Sequence, residues 1–116
     1  MHCSVIDAVL IDDDTLIHAV WEFSAERHGI RLVCFEDSKA FFQRLNEFHF
    51  DTPIYVDSNL GAGVKGEQVT KQIYKLGFNN IYLETGDITL DLSKFHWLKG
   101  IICKSPPWEE NNFQYM

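Results

Sequence analysis

Short apolar runs that end on polar residues recur along the chain. They occupy residues 8–11, 30–35, 53–57, 81–85 and 100–103, with Gly, Pro, Asn or Asp residues between them. Runs of this length, rich in β-branched and aromatic side chains, are typical of buried strands. The pattern therefore predicts five strands.

Apolar residues recur at helical spacing between these strands. Asp14 and Gly29 bound a first helix over residues 15–28, a cap at residue 37 or 38 begins a second, and Gly77 ends a third. For residues 86–99 the sequence predicts a loop with one short helix around Leu92 and Phe95. The helical stripes are Leu16, Val20 and Phe23 with Ile17 and Trp21 beside them, then Phe41, Leu45 and Phe48, then Val69, Ile73 and Leu76.

Strand and helix thus alternate four times, and the pattern closes on a strand. Such alternation predicts a parallel sheet with helices on both faces, joined by right-handed crossovers. With 116 residues, of which 46% are hydrophobic, the chain is long enough for one core of this kind. We therefore expect a single α/β domain whose five parallel strands end at one common edge.

Composition narrows the classes of function. Seventeen acidic against ten basic residues give a formal net charge of −7, which argues against nucleic acid as a partner. The three cysteines form no CxxC pattern, so neither a disulfide nor a zinc site is predicted. Near the N-terminus the apolar run 8–11 is too short for a signal peptide or a membrane span. We expect a cytoplasmic protein without a membrane partner.

Chemically versatile side chains stand at the ends of four strands. They are Asp12 and Asp13, Asp57, Thr85 and Lys104. Residues just past the carboxyl ends of parallel strands face the crevice in which open α/β folds bind ligands. Two carboxylates about 4 Å apart repel by roughly 4 kcal/mol at an effective dielectric near 20. Three carboxylates at this edge would therefore need compensation, which Lys104 and a divalent cation would supply together.

The ligands on offer are hard oxygens, which favour Mg²⁺ over zinc or copper. A carboxylate can act as a nucleophile and form an aspartyl phosphate, so Asp57 is the candidate phosphoacceptor. Lys104 and Thr85 could bind the phosphoryl oxygens by charge and by hydroxyl. Taken singly, each residue has a simpler reading: Asp14 as a helix cap, and Asp12 and the other strand-end residues as parts of solvated turns. The joint pattern favours the site.

The ordered set of motifs resembles the receiver domains of bacterial two-component signalling. Residues 9–14 resemble the first strand and acidic pair of that family, residues 54–60 its phosphoacceptor strand, Thr85-Gly86 its hydroxyl and small residue, and Lys104 its lysine. The resemblance implies a flavodoxin-like, doubly wound, five-stranded sheet in the order 2-1-3-4-5.

The resemblance also implies a function and a partner. A histidine kinase or a histidine phosphotransfer domain would pass a phosphoryl group to Asp57, so the domain would be a self-catalysed phosphoacceptor and not an enzyme with a substrate of its own. The implied roles are Mg²⁺ binding by Asp12, Asp13, Asp57 and the backbone carbonyl of Asn59, phosphoryl binding by Thr85 and Lys104, and switching by Thr85 and Ile101.

Three features depart from the family pattern. Ile101 stands where receivers carry an aromatic residue whose inward swing accompanies activation. Ser105 separates Lys104 from Pro106, so either a non-proline cis bond, which costs about 3–4 kcal/mol, or a changed loop is expected. Only twelve residues follow Lys104, so the final helix is expected to be missing.

A missing final helix would leave one flank of the sheet bare. The candidates to cover it are Trp108, Phe113 and Tyr115 of the tail, or a second copy of the chain in a homodimer. We divide the chain into a receiver domain, residues 1–107, and a tail, residues 108–116. The features fit the C-terminal receiver of a hybrid histidine kinase or a shortened receiver that stands alone.

Three other functions are compared with this pattern of residues. A receiver-like module could bind a partner without being phosphorylated. A phosphatase of the haloacid dehalogenase type needs Asp-x-Asp-x-Thr/Val, whereas Asp12 and Asp14 are followed by Leu16 at the last position. FMN binding, as in flavodoxins, would require hydroxyl and amide donors after the first strand, where this chain has three acids.

Overall fold

The computed structural model describes residues 5–87 and 89–109 and contains a five-stranded sheet in the order β2-β1-β3-β4-β5. All neighbouring strands are parallel. The strands are β1 Ala8–Ile11, β2 Leu32–Phe35, β3 Ile54–Asp57, β4 Ile81–Glu84 and β5 Gly100–Ile102. The predicted fold class and strand order are confirmed.

Helices cover both faces of this sheet. They are α1 Thr15–Arg27, α2 Ser38–Phe42 and α3 Gly66–Lys75. The central strands β1 and β3 are buried along their whole length, which explains why they read as continuous apolar runs without alternation. Residues of α2 and α3 pack with one face of the sheet and residues of α1 with the other.

Helix α1 begins where the sequence predicts, and the carboxylate of Asp14 accepts the backbone N–H of Leu16. The face that it buries is not the predicted main stripe. Trp21 is completely buried, whereas Leu16 is 69% exposed and Phe23 is 65% exposed. The two stripes are adjacent on the helix, and the one that carries the large indole ring packs against the sheet.

The second helix is shorter than predicted, because α2 ends at Phe42 and only a 3₁₀ turn, Leu45–Glu47, follows. The rings of Phe41 and Phe48 stack with centroids 5.5 Å apart. In one continuous helix, residues seven positions apart are separated by about 10.5 Å along the axis. The chain must therefore turn back after Phe42 to place Phe48 against Phe41.

The connection between β4 and β5 is also reduced. Its helix is a single 3₁₀ turn, Leu92–Lys94, at the place the sequence predicts. Trp97 fastens this connection to α3, because its indole N–H donates to Thr70 Oγ1 at 2.9 Å. No helix in the described part of the chain is long and apolar enough to cross a membrane.

The predicted loss of the final helix fits the structure, since residues 103–109 contain no helix. Trp108 lies instead against Trp21 on the α1 face, with ring centroids 5.5 Å apart. One of the predicted covering residues thus packs against the core on the α1 side of the sheet, and cover of the flank around Ile101 and Cys103 stays a prediction. Phe113 and Tyr115 lie outside the described residues, and the homodimer stays a prediction.

Candidate functional site

Strand register brings three acids side by side. Asp57 is the register partner of Glu84, and Asp12 follows directly after β1, which pairs with β3. Along each strand these acids continue the alternation that places Leu10, Tyr55 and Tyr82 in the core on the α1 side. All three acids are buried: Asp12 and Glu84 are 0% exposed and Asp57 is 5% exposed.

Lys104 extends its ammonium group into this acidic row. Its Nζ lies 2.8 Å from Asp57 Oδ1, 3.4 Å from Asp12 Oδ2 and 3.8 Å from Glu84 Oε1. The lysine side chain is 37% exposed, whereas Asp57 is 7% and the other two acids 0% exposed in their side chains. One cation therefore contacts three carboxyl groups at the point where solvent reaches the site.

The carboxyl and ammonium groups shift each other's pKa. Burial raises the pKa of Asp57, and the nearby Asp12 carboxylate raises it further, against the opposing effect of the hydrogen bond from Lys104. Burial alone would lower the pKa of Lys104, but the hydrogen bond to Asp57 and the surrounding acids outweigh it and raise the pKa. The raised pKa keeps Lys104 charged, while the raised pKa of Asp57 means that burial disfavours its charged form.

Glu84 is a site residue that sequence reasoning missed. Burial, and then the proximity of Asp12, raises the pKa of Glu84 to about 9. Within the described residues neither of its carboxyl oxygens has a hydrogen-bond partner of acceptable geometry. At neutral pH Glu84 is therefore a protonated acid. It adds no negative charge to the group formed by Asp12, Asp13 and Asp57. Glu84 directly precedes Thr85 and ends β4, as Asp57 ends β3. Aligning the carboxyl ends of these two parallel strands would therefore have predicted that Glu84 lies beside Asp57.

Asp13 completes a group that could hold a cation. Asp12, Asp13 and Asp57 can each offer one oxygen so that these atoms all lie within 4.8 Å of one another. Asp13 is exposed and the other two are buried, so the group opens toward solvent. Three carboxylate oxygens suit Mg²⁺, which is bound through a few carboxylates and keeps several waters. The residues present fit this ion.

Asn59 and Thr85, two further predicted site residues, make hydrogen bonds at and next to Asp57. The backbone N–H of Asn59 donates to Asp57 Oδ1 at 3.3 Å. The hydroxyl of Thr85 accepts a hydrogen bond from Ser58 Oγ at 3.0 Å and another from the backbone N–H of Asp87 at 3.0 Å. Ser58 was not singled out in the sequence, although it follows Asp57 directly.

Two clefts flank Thr85. A cleft of about 370 Å³ is lined by Ser58, Asn59, Thr85 and Asp87 among others. A second cleft of about 240 Å³ is lined by Thr85 and Ile101. Ile101 is half-buried and packs against the main core, so the predicted switch position adjoins Thr85.

Gly66 allows α3 to begin close against the end of β3. A Cβ atom at this position would lie 2.0 Å from the carbonyl oxygen of Asp57. The backbone N–H of Gly66 donates to the carbonyl of Ser58 at 2.9 Å. Glycine is needed here for close approach of two backbones, and this approach fixes the chain just after Asp57.

The sequence left open whether the Lys104–Ser105 peptide bond is cis or the loop around it is changed. No cis peptide bond occurs among the described residues, so the alternative of a changed loop is the one observed. The carbonyl of Lys104 accepts the indole N–H of Trp21 at 2.8 Å. Helix α1 thus contacts the loop that carries the lysine.

Neither a protein-family model nor a curated protein matches this sequence. Solved structures do match it along almost its whole length. A CheY-like response regulator receiver domain protein from Methanospirillum hungatei JF-1 superposes with a TM-score of 0.73 at 19% identity, over 96% of this chain and 89% of that one. The chain has the receiver-domain fold.

Two further receiver folds match equally well. The response regulator TrrA from Thermotoga maritima, solved in complex with Mg²⁺-BeF, has a TM-score of 0.73 at 18% identity, over 95% of this chain and 96% of that one. The signal receiver domain of an HD domain-containing protein from Pseudomonas fluorescens Pf-5 has a TM-score of 0.73 at 17% identity, over 98% and 85%. The resemblance seen in the motifs is thereby confirmed at the level of the fold.

Proposed function

We propose that this receiver fold is a phosphoacceptor in a His-to-Asp phosphorelay, in which Asp57 receives a phosphoryl group from a partner's histidine. The observation that carries the proposal is the contact of Lys104 Nζ with Asp57 Oδ1 at 2.8 Å. An ammonium held on a nucleophilic carboxylate is placed to neutralise an anionic group that arrives there. The partner would be a cytoplasmic histidine kinase or phosphotransfer domain.

The transfer step exchanges one bond for another. A carboxylate oxygen of Asp57 forms a bond to phosphorus while the bond from phosphorus to the partner's imidazole nitrogen breaks, and the electron pair stays on that nitrogen. Lys104 would then bind the phosphoryl oxygens. Thr85 can assist, because its two lone pairs already accept from Ser58 and Asp87, which leaves its own hydrogen to donate.

Asp12, Asp13, Asp57 and the backbone carbonyl of Asn59 would hold Mg²⁺. When bound, the ion supplies positive charge that offsets the carboxylates and the phosphoryl oxygens. The donor set supports this assignment, since three carboxylate oxygens lie within 4.8 Å of one another. The similar fold of TrrA was solved with Mg²⁺-BeF, which is consistent with the same use of the site.

A partner helix would need a surface beside the site. The exposed stripe of α1 offers one, because Leu16 and Phe23 are 69% and 65% exposed and Val20 is 47% exposed. Helix α1 starts at Thr15, just after the acidic pair. We propose that the partner's histidine-bearing segment packs on this stripe, which would bring the phosphohistidine toward Asp57.

Phosphorylation would then change the site. The phosphoryl group carries a charge near −2 and adds acceptor oxygens, which would draw Thr85 and the loop after it toward Asp57. Ile101 adjoins Thr85 in the neighbouring cleft, so its packing would respond to this movement.

The experiment is phosphorylation by acetyl phosphate with Mg²⁺, followed by intact mass. Wild-type protein and Asp51→Asn, a control at an exposed acid, should each gain one phosphoryl group, and Asp57→Asn should gain none. Equal labelling of wild type and Asp57→Asn would defeat the assignment. A folded wild-type protein that is not labelled would favour the module that binds a partner without phosphorylation.

A further inference from the structure

The lysine of the site stands on a segment without regular structure. Lys104 follows β5, and its neighbours Cys103 and Ser105 are exposed. Its ammonium nevertheless reaches Asp57 at 2.8 Å. Because a lysine side chain has four rotatable bonds, its charge is held at a defined place only if the backbone that carries it is also held.

A buried indole provides this support. Trp21 is 0% exposed, and its Nε1–H donates to the carbonyl oxygen of Lys104 at 2.8 Å across 83 residues of chain. On the same helix, His18 Nε2 lies 2.5 Å from the carbonyl oxygen of Asp12. Helix α1 therefore contacts the backbone of two site residues that come from opposite ends of the sequence.

The indole of Trp21 is itself fixed between two rings. Its centroid lies 5.4 Å from that of Tyr55 and 5.5 Å from that of Trp108, both in edge-on arrangements. Tyr55 is in β3, two residues before Asp57. Trp108 comes from the segment after the lysine, so the chain folds back over the residue that supports Lys104.

This segment has its own attachment to α1. The indole N–H of Trp108 donates to Ser24 Oγ at 2.9 Å. The Ser24 hydroxyl in turn donates to the carboxylate of Glu109. Ser24 is 3% exposed, so these polar contacts form where little water competes with them.

We propose that Trp21 is a positioning residue for Lys104, and that Trp108 and Glu109 hold Trp21 in the orientation that this requires. The segment after the lysine thus sets how well the ammonium reaches Asp57. The inference rests on the proposed function for what Lys104 does, but the support of its backbone stands on the contacts alone.

A double-mutant cycle tests the link to Lys104. Trp21→Phe keeps an aromatic ring and removes the N–H, and it should lower the rate of phosphorylation by acetyl phosphate about three- to tenfold. In a Lys104→Met background the same substitution should cause no further loss, because it acts through the lysine. An equal fall in both backgrounds would mean a general structural role and would overturn the proposal.

A matched control comes from Trp97, whose indole N–H also donates to a buried oxygen at 2.9 Å, that of Thr70. Trp97→Phe should leave the phosphorylation rate unchanged. Trp108→Phe removes the N–H bond to Ser24 and should lower the rate in the same direction as Trp21→Phe. If Trp97→Phe lowers the rate as much as Trp21→Phe, loss of packing explains both and the proposal fails.

A second measurement does not depend on phosphorylation. Backbone amide hydrogen exchange over residues 103–105 should be about three- to tenfold faster in Trp21→Phe than in wild type and unchanged in Trp97→Phe. Unchanged exchange in Trp21→Phe would refute the positioning role. Faster exchange in a protein that acetyl phosphate fails to label would reject the proposed function and keep the support of Lys104.

Discussion

Nζ of Lys104 lies 2.8 Å from Oδ1 of Asp57, although 47 residues separate them in the chain. This contact links the end of β3 to the loop after β5 across the intervening β4. The site nevertheless holds more acidic than basic groups, because Asp12 and Asp13 lie close to Asp57 and Lys104 is the one base in contact with these described residues. The balance between these charges gives the first prediction.

Replacing Asp57 by asparagine should stabilise the metal-free protein. The raised pKa of Asp57 means that the folded state disfavours its charged form, chiefly because the group is buried. Asp57→Asn should therefore increase the free energy of unfolding at pH 7 in EDTA, measured by urea denaturation.

Mg²⁺ should stabilise the wild type, by about 2.7 kcal/mol at a hundredfold excess over its dissociation constant, and the Asp57→Asn variant much less. Equal stabilisation of both would place the cation elsewhere.

Glu84 should make the protein less stable as pH rises. Its pKa is about 9 in the folded protein against an ordinary value of 4.5, so between these values the folded state holds a proton that the unfolded state has lost. Stability from this group is complete below about pH 4.5 and falls by about 1.4 kcal/mol per pH unit toward pH 9. Glu84→Gln should remove this slope.

The measurement for Glu84 is a set of urea curves from pH 5 to pH 9 in EDTA. The difference in unfolding free energy between Glu84→Gln and wild type reports the titration of Glu84 together with its coupling to Asp12, Asp57 and Lys104, because the titrations of more distant groups cancel. The difference should grow in favour of the variant as pH rises. A constant difference across the range would show that Glu84 titrates normally.

Gly66→Ala should disrupt the start of α3. The added Cβ would lie 2.0 Å from the carbonyl oxygen of Asp57, and backbone cannot move aside as a flexible side chain can. We expect a loss of roughly 1–3 kcal/mol in the free energy of unfolding, together with weaker Mg²⁺ binding, because the chain after Asp57 shifts. Gly86→Ala is the matched control, since a Cβ there meets nothing within 4 Å. Similar losses in both variants would contradict the prediction.

Substitutions of two phenylalanines test which aromatic side chains belong to the core and which lie on the surface. Phe41 is 0% exposed and its ring packs with those of four other phenylalanines. Phe41→Ala should therefore lower the free energy of unfolding, measured by urea denaturation, by about 3–5 kcal/mol. Phe23 is 65% exposed and contacts the guanidinium of Arg27, so Phe23→Ala should cost less than about 1 kcal/mol. A large loss at Phe23 would mean that the exposed stripe of α1 is covered in solution.

The sheet could be predicted because its strands are short apolar runs with turn residues between them. The spacing of apolar residues and the positions of turn residues are local properties of a sequence. Alternation of strands with helices then leaves few possible topologies. The same local signals predicted Asp14 as the cap of α1. They were insufficient for α2, where stacking of Phe41 on Phe48 ends the helix early and depends on how the chain packs.

Local signals also could not choose the buried face of α1. Leu16, Val20 and Phe23 form as good a stripe as the one that contains Trp21. The choice follows from the sheet beneath, where Tyr55 receives the indole, and from the loop of Lys104, whose carbonyl accepts its N–H. Neither partner is near α1 in the sequence.

The amino-acid sequence alone determined the fold class, the strand order that its motifs imply, and the edge at which Asp12, Asp57 and Lys104 gather, because strand ends in a parallel sheet meet whatever the details of packing. Only the tertiary structure decided that Glu84 is buried and protonated, and that Trp21 and Trp108 support the lysine. Burial and hydrogen bonding between distant segments are properties of the packed molecule, and no local pattern of residues encodes them.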